Sequence, residues 1–254
     1  LKIQSKLNHE IRQKRSYKFG LEVSKNQIFK FKSKKNTLIN KFHKRKKNKF
    51  YHDKIVIFGS GPSLLNLKSN EKKNLKKIPK LFFNRNIIFW KIIDIWPEYY
   101  FFVDNYGVAT KIFHETIKEI NITKKKYPIL FLEEFYKYST PKELKPTFFK
   151  FFHRNFKWSN SLKDQMFGCY GSLSVLMNLI SATKLSKNIL ILGVDLNKPG
   201  TFFDKYRKTK QSLFNKEEKL DFKAGIHKTL NDGKEGINIL THWSIIQKNL
   251  KKRG

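Results

Sequence analysis

With 254 residues, the chain has room for one ordinary α/β domain and an extension. Hydrophobic residues make up 39% and aromatics 15%, with 24 Phe, so there is enough apolar material for a core and wholesale disorder is excluded. The net charge of +34 implies an anionic partner or surface, unless the lysine excess is compositional bias, and the single Cys169 leaves no intramolecular disulfide and no Cys/His zinc spacing.

Residues 1–52 read as a basic arm. The first 50 residues carry 17 Lys and Arg against two acids, Glu10 and Glu22, and the run "KFHKRKKNKF" (Lys41 to Phe50) is the peak. Phe19, Ile28, Phe29 and Phe31 are interleaved, suited either to a membrane interface or to packing on the domain. No apolar run approaches the roughly 20 residues of a membrane span. No apolar segment follows the first basic residues, so no secretory signal is expected. The expected setting is the reducing cytoplasm, with the arm suited to peripheral attachment at the inner membrane face.

From Lys54 the pattern changes to short apolar runs separated by helical stretches. Strands are expected at 54–58, 80–84, 99–105, 127–132 and 188–196. The last, "NILILGVDL", is the strongest, with the continuous apolar run of a strand covered on both faces. "GSLSVLMNLISATKL" (171–185) places Leu173, Leu176, Met177, Ile180 and Leu185 near helical spacing, and 237–252 reads as a terminal helix with cations near its end. Strands alternating with helices imply right-handed crossovers and a Rossmann-like, mostly parallel sheet over residues 53–254. The aromatic-basic stretch 148–158, with His153, reads as a packing or acceptor-side region. The polar segment around 198–235 reads as a lid.

Gly59 and Gly61 bracket Ser60 directly after the first strand, and Pro62 suits a first helical position. Such a turn can present open N–H groups to a phosphate, with the Ser63 hydroxyl nearby. A tight turn without a ligand would use the same glycines. The dinucleotide pattern fails at Leu64, where a third Gly belongs, and at Asn84, where a ribose-binding acid belongs. No Gly-Lys-Ser/Thr follows, so a Walker loop is absent too. A nucleotide with one phosphate, or a nucleotide-sugar, remains.

The order of these motifs resembles the bacterial sialyltransferases of glycosyltransferase family 42. The resemblance rests on Gly59-Ser60-Gly61-Pro62-Ser63-Leu64, on Asn84 after the second strand, and on Asn105 or Asp104 after the third. It continues with Gly171-Ser172 at the start of the apolar helix, Gly193-Val194-Asp195-Leu196 after the strong strand, and His227 five residues before Asp232. It spans about residues 54–250. The chain departs from the family at Ser60, where the family has Asn, and at Asn197 and Thr201, near two family Tyr; Tyr206 lies slightly later and can substitute. The family's Arg before the Ser/Thr-Gly element is not evident, and Cys169 and Tyr170 stand there. A related group of Gly-x-Gly-Pro-Ser-Leu proteins, uncharacterised or pterin-phosphorylating, shares the opening.

The resemblance implies transfer of a sialic-acid-like sugar from a CMP-linked donor to a glycan or lipid-linked saccharide, and a homo-oligomer. The expected nucleotide-sugar contacts are Gly59, Ser60, Gly61, Ser63, Asn84, Asp104, Asn105, Gly171, Ser172 and Asp195. Inverting transfer needs a base for the acceptor proton and a group to hold the leaving phosphate. His227, in the lid segment beside Gly225, is the candidate base. His242 beside Trp243 and His114 within a helix read as structural or surface residues. Tyr206 is the candidate for the phosphate. No Asp-x-Asp pair is present, so metal-independent chemistry without a cofactor is expected. The alternatives are a non-sialyl transferase or pyrophosphokinase on the same fold. A nucleic-acid binder is motivated by charge alone, since zinc-finger, helix-turn-helix and aromatic RNA-binding motifs are all missing.

Overall fold

The computed structural model describes residues 50–104, 108–123, 125–151, 157–168, 171–195, 200–206, 208–210, 213–214 and 239–252. Among them, seven strands form one sheet: β1 (His52–Phe58), β2 (Lys80–Phe83), β3 (Tyr99–Phe102), β4 (Ile129–Glu133), β5 (Thr147–Phe151), β6 (Gln165–Met166) and β7 (Ser186–Leu192). Every pairing is parallel, and the order is β6-β5-β4-β3-β2-β1-β7. The helices are α1 (Ser69–Leu75), α2 (Trp90–Ile93), α3 (Ala109–Ile122), α4 (Ser172–Thr183) and α5 (Ile239–Lys251), with short 3-10 turns between. The arrangement is α/β and Rossmann-like, as expected.

The period-2 alternation of side chains divides the core in two. Val56, Phe58, Phe82, Tyr100, Phe102 and Leu132 face one side, where Ile112, Phe113 and Ile117 of α3 cover them. Ile55, Ile57, Leu81, Phe101 and Phe131 face the other, against Leu176, Leu179 and Ile180 of α4 and Ile246 of α5. Both faces of the central strands are therefore dry, which explains their continuous apolar runs.

The handedness rule places the helices. From β1 to β5 the chain steps outward, and its connections pack on the α3 face through Leu64, Leu75, Ile87, Ile112, Tyr136 and Leu144. The return from β6 to β7 reverses direction across the sheet. A right-handed return must then use the opposite face, and α4 lies there. The chain lands beyond β1, so the topological switch point falls between β1 and β7, where ligands bind in open α/β sheets.

Three expectations are corrected. The strong apolar run was expected to be a strand covered on both faces; among the described residues, β7 is an edge strand that pairs with β1 alone. Lys187, Asn188 and Leu190 are exposed. Ile189 and Ile191 pack against the α4-face core while Leu190, on the other face, is exposed, so the apolar run overstates the cover of this strand. Second, the stretch 148–158 contributes β5, and β6 follows at Gln165–Met166; neither was expected as a strand. Third, the described part of the expected lid is not a flap. Phe202, Phe203, Leu213 and Phe214 are buried in the α3-face core. Four apolar anchors in a polar segment hold it down. The rest of that segment, with His227 and Asp232, and the arm 1–49 lie outside the described residues. No helix among the described residues is long and apolar enough to cross a membrane.

Candidate functional site

The glycine turn leaves β1 and runs straight against the end of β7. Gly59 N–H donates to the Leu192 carbonyl (2.7 Å) and Gly61 N–H to the Gly193 carbonyl (2.7 Å). A Cβ on Gly59 would stand 2.1 Å from the Gly193 oxygen, and one on Gly61 would stand 2.4 Å from Asp195 Oδ2. Close approach of the backbone after β7 therefore dictates Gly59, and the Asp195 side chain packed on the turn dictates Gly61. After Gly61 the chain forms one short 3-10 helix, Pro62–Asn66, with Pro in its first turn. The Ser63 amide donates to Asp195 Oδ2 (2.7 Å) and its hydroxyl donates to Asp195 Oδ1 (2.8 Å). The expectation of open N–H groups at this turn is thus corrected. The Asp195 carboxylate already fills the place at Ser63 that an incoming phosphate would take. A third tie comes from the segment after β7, where Phe202 N–H donates to the Ser60 carbonyl (2.9 Å).

A second cluster lies at the ends of β2 and β3. Asn84 follows β2 in the left-handed region, φ 51°, which Asn tolerates better than most residues. Its Nδ2 donates to Ser172 Oγ (2.7 Å), and that hydroxyl donates to Asp104 Oδ1 (3.1 Å). The carboxylate can only accept, so it fixes the direction of the Ser172 proton and, through it, the orientation of the Asn84 amide. Asn84 Oδ1 is left buried with no partner among the described residues. Gly171 sits at the N-cap of α4, its carbonyl accepting from Ser174 N–H and Oγ–H. Residues 88 positions apart, Asn84 and Ser172, thus meet at the carboxyl side of the sheet.

Several contributors here had no motif to announce them. Asn86 is buried and its Nδ2 donates to the carbonyls of Phe58 (2.7 Å) and Gly59 (3.0 Å), which holds the two clusters together. Tyr100 OH donates to the Asn84 carbonyl and Tyr136 OH to the Asp104 carbonyl, so two buried phenols clamp the ends of β2 and β3. Burial, and then the charge of Asp104 and Glu133, pushes the Tyr136 phenol well above the usual range; burial does the same for Tyr100, with Asp104 adding to it. Both phenols therefore stay protonated near neutral pH. An apolar strand followed by Asn-x-Asn was the one legible sign of this shell.

The remaining candidates separate. Tyr206 sits on a 3-10 turn (Asp204–Tyr206), its ring 5.7 Å from that of Phe89, and Lys205 lies over it at 5.2 Å. Its segment is tied to the glycine turn by the Phe202 N–H to Ser60 carbonyl bond. Thr201 amide and hydroxyl both donate to Asp204 (2.7 Å each), which closes that turn. Arg85, next to Asn84, lies over Phe214 at 5.1 Å. Asn105 and His227 fall outside the described residues. Among the described residues, no group of three His, Cys, Asp or Glu is placed to hold a metal ion.

Comparison with family models, with curated proteins and with solved structures returns no match. The likeness to sialyltransferases therefore stands on the order of motifs quoted above.

Proposed function

We propose that the protein is a nucleotide-sugar-dependent glycosyltransferase resembling the sialyltransferases, with its donor site at the carboxyl ends of β2 and β3, next to the glycine turn that follows β1. The observation that carries this reading is the convergence of Asn84, Asp104 and Ser172 beside the Ser63–Asp195 pair. Five separated motifs of the resemblance come together on one side of the sheet. The group is polar, chiefly acceptor-rich, and includes a buried acceptor at Asn84 that has no partner among the described residues. An unpaired buried acceptor costs about 1–3 kcal/mol, which a ligand O–H or N–H would offset. Ribose hydroxyls and a cytosine amine both supply such donors.

In the proposed reaction the acceptor hydroxyl attacks the anomeric carbon, the bond from that carbon to the phosphate oxygen breaks, and CMP leaves with inversion. His227 takes the acceptor proton. Since Asp195 occupies the Ser63 donors, the reading assigns the leaving phosphate to other groups, with Tyr206 and cations of the 200–210 segment as candidates. Asp195 then acts as a positioning residue that ties β7 to the turn. The test is release of CMP from CMP-linked sialic acid without acceptor. Slow release, strongly reduced in His227→Ala and unchanged by a metal chelator, is expected. No release by the unmutated protein under any acceptor condition would overturn the reading.

A further inference from the structure

The pole of the sheet opposite the candidate site carries a feature that transfer chemistry does not use. At the strand-start side, Trp90 and Trp96 meet edge to face, their ring centroids 5.2 Å apart. Both indole N–H groups are consumed internally, Trp90 by Glu119 (2.9 Å) and Trp96 by the Lys126 carbonyl (2.8 Å). Lys91 and Lys125 each lie 5.8 Å from the Trp90 ring centroid. One helical turn beyond Glu119, Ile122 ends α3 with 59% of its surface exposed. Lys72, Lys76 and Lys125 act on Asp94, and Lys126 is exposed beside them, so cations outnumber acids around the two rings.

We infer that this pole is a docking surface for an anionic lipid bilayer. Half-buried indoles flanked by lysines match a membrane interface, where the rings enter the headgroup level and the ammonium groups meet lipid phosphates. The exposed aliphatic Ile122 favours a bilayer over nucleic acid, because a base stacks on rings and not on a branched alkyl group. Chain geometry adds a second argument. The first 50 residues hold 17 cations, and the described chain begins at Phe50, immediately before β1, so the point where this basic segment attaches lies at this same pole. Docked this way, the ends of β1, β2, β3 and β7 face away from the lipid. The inference does not depend on the proposed reaction.

The test is sedimentation of the full chain with vesicles of phosphatidylcholine alone or mixed with phosphatidylglycerol, comparing Lys91→Glu/Lys125→Glu/Lys126→Glu with a charge-matched control, Lys137→Glu/Lys205→Glu/Lys208→Glu. Each near-surface lysine contributes roughly a five-fold factor, so the first variant should lose about a hundred-fold in binding to the anionic vesicles. The control should lose much less. Equal losses in the two variants, or a larger loss in the control, would overturn the inference. So would a first variant that loses binding to duplex RNA while keeping vesicle binding. A second measurement needs no charge change. In Trp158→Phe/Trp243→Phe, emission comes from Trp90 and Trp96, and vesicles of anionic lipid brominated on the acyl chain should quench it. Unquenched emission in vesicle-bound protein would refute the docking.

Discussion

Removing the Asp195 carboxylate separates two accounts of the glycine turn. In the structure Asp195 accepts from both the amide and the hydroxyl of Ser63, at 2.7 and 2.8 Å. A hydrogen bond to a charged group is worth about 1.5–3 kcal/mol, and partial exposure here brings that to about 1 kcal/mol for each. Asp195→Ala should therefore lose about 2 kcal/mol, and Ser63→Ala, which keeps the amide, about 1 kcal/mol. In a domain of this size 1 kcal/mol moves Tm by roughly 2–4 °C, so the expected falls are about 4–8 °C and about 2–4 °C. The double variant should melt close to Asp195→Ala, because the hydroxyl has nothing left to bind, giving a coupling of about 1 kcal/mol. Thermal unfolding followed by circular dichroism reads all four proteins. Additive losses, or no change in Asp195→Ala, would show that the carboxylate is not the partner of Ser63 and that the turn is open to an anion.

Other expectations follow from the same geometry. Gly59→Ala puts a methyl group 2.1 Å from a backbone oxygen that cannot rotate away, so the denaturant midpoint should fall by the equivalent of about 3 kcal/mol; an unchanged midpoint would mean that β1 and β7 do not approach as described. Tyr100 and Tyr136 are held above the usual phenol value near 10. Their contribution to stability is therefore complete below about pH 10 and lost as the pH rises further. Phenolate absorbance should show a late step that coincides with unfolding and shrinks in Tyr100→Phe and Tyr136→Phe.

Much of the sheet was legible because its central strands are covered on both faces, and continuous apolar runs say so directly. What ran out was adjacency. Nothing in "NILILGVDL" tells that β7, among the described residues, pairs on one side only, since pairing is a property of backbone partners that side-chain pattern does not encode. The site shows the same division. Asn84, Asp104 and Ser172 are singled out through the resemblance, which implies sugar-nucleotide contacts at these positions after strands and before a helix. That Ser63 spends its donors on a carboxylate 132 positions away could not be read, because an occupied turn and an open one share the sequence Gly-x-Gly-Pro-Ser. In the described part of the expected lid, average polarity hid Phe202, Phe203, Leu213 and Phe214, four buried side chains that hold that part against the core.

The central claim is that a cytidine nucleotide binds among Asn84, Asp104 and Ser172, and it is tested most directly by the thermal shift of the full chain with CMP, UDP, GDP, ATP or NAD. A ligand at 100 times its Kd stabilises by about 2.7 kcal/mol, a rise of roughly 5–10 °C in a domain of this size. CMP should give that rise, and Asn84→Gly, which keeps the left-handed backbone but removes the amide, should abolish most of it without lowering Tm in the absence of nucleotide by more than a few degrees. A rise with NAD or ATP and none with CMP, or a CMP rise that Asn84→Gly leaves intact, would contradict the account.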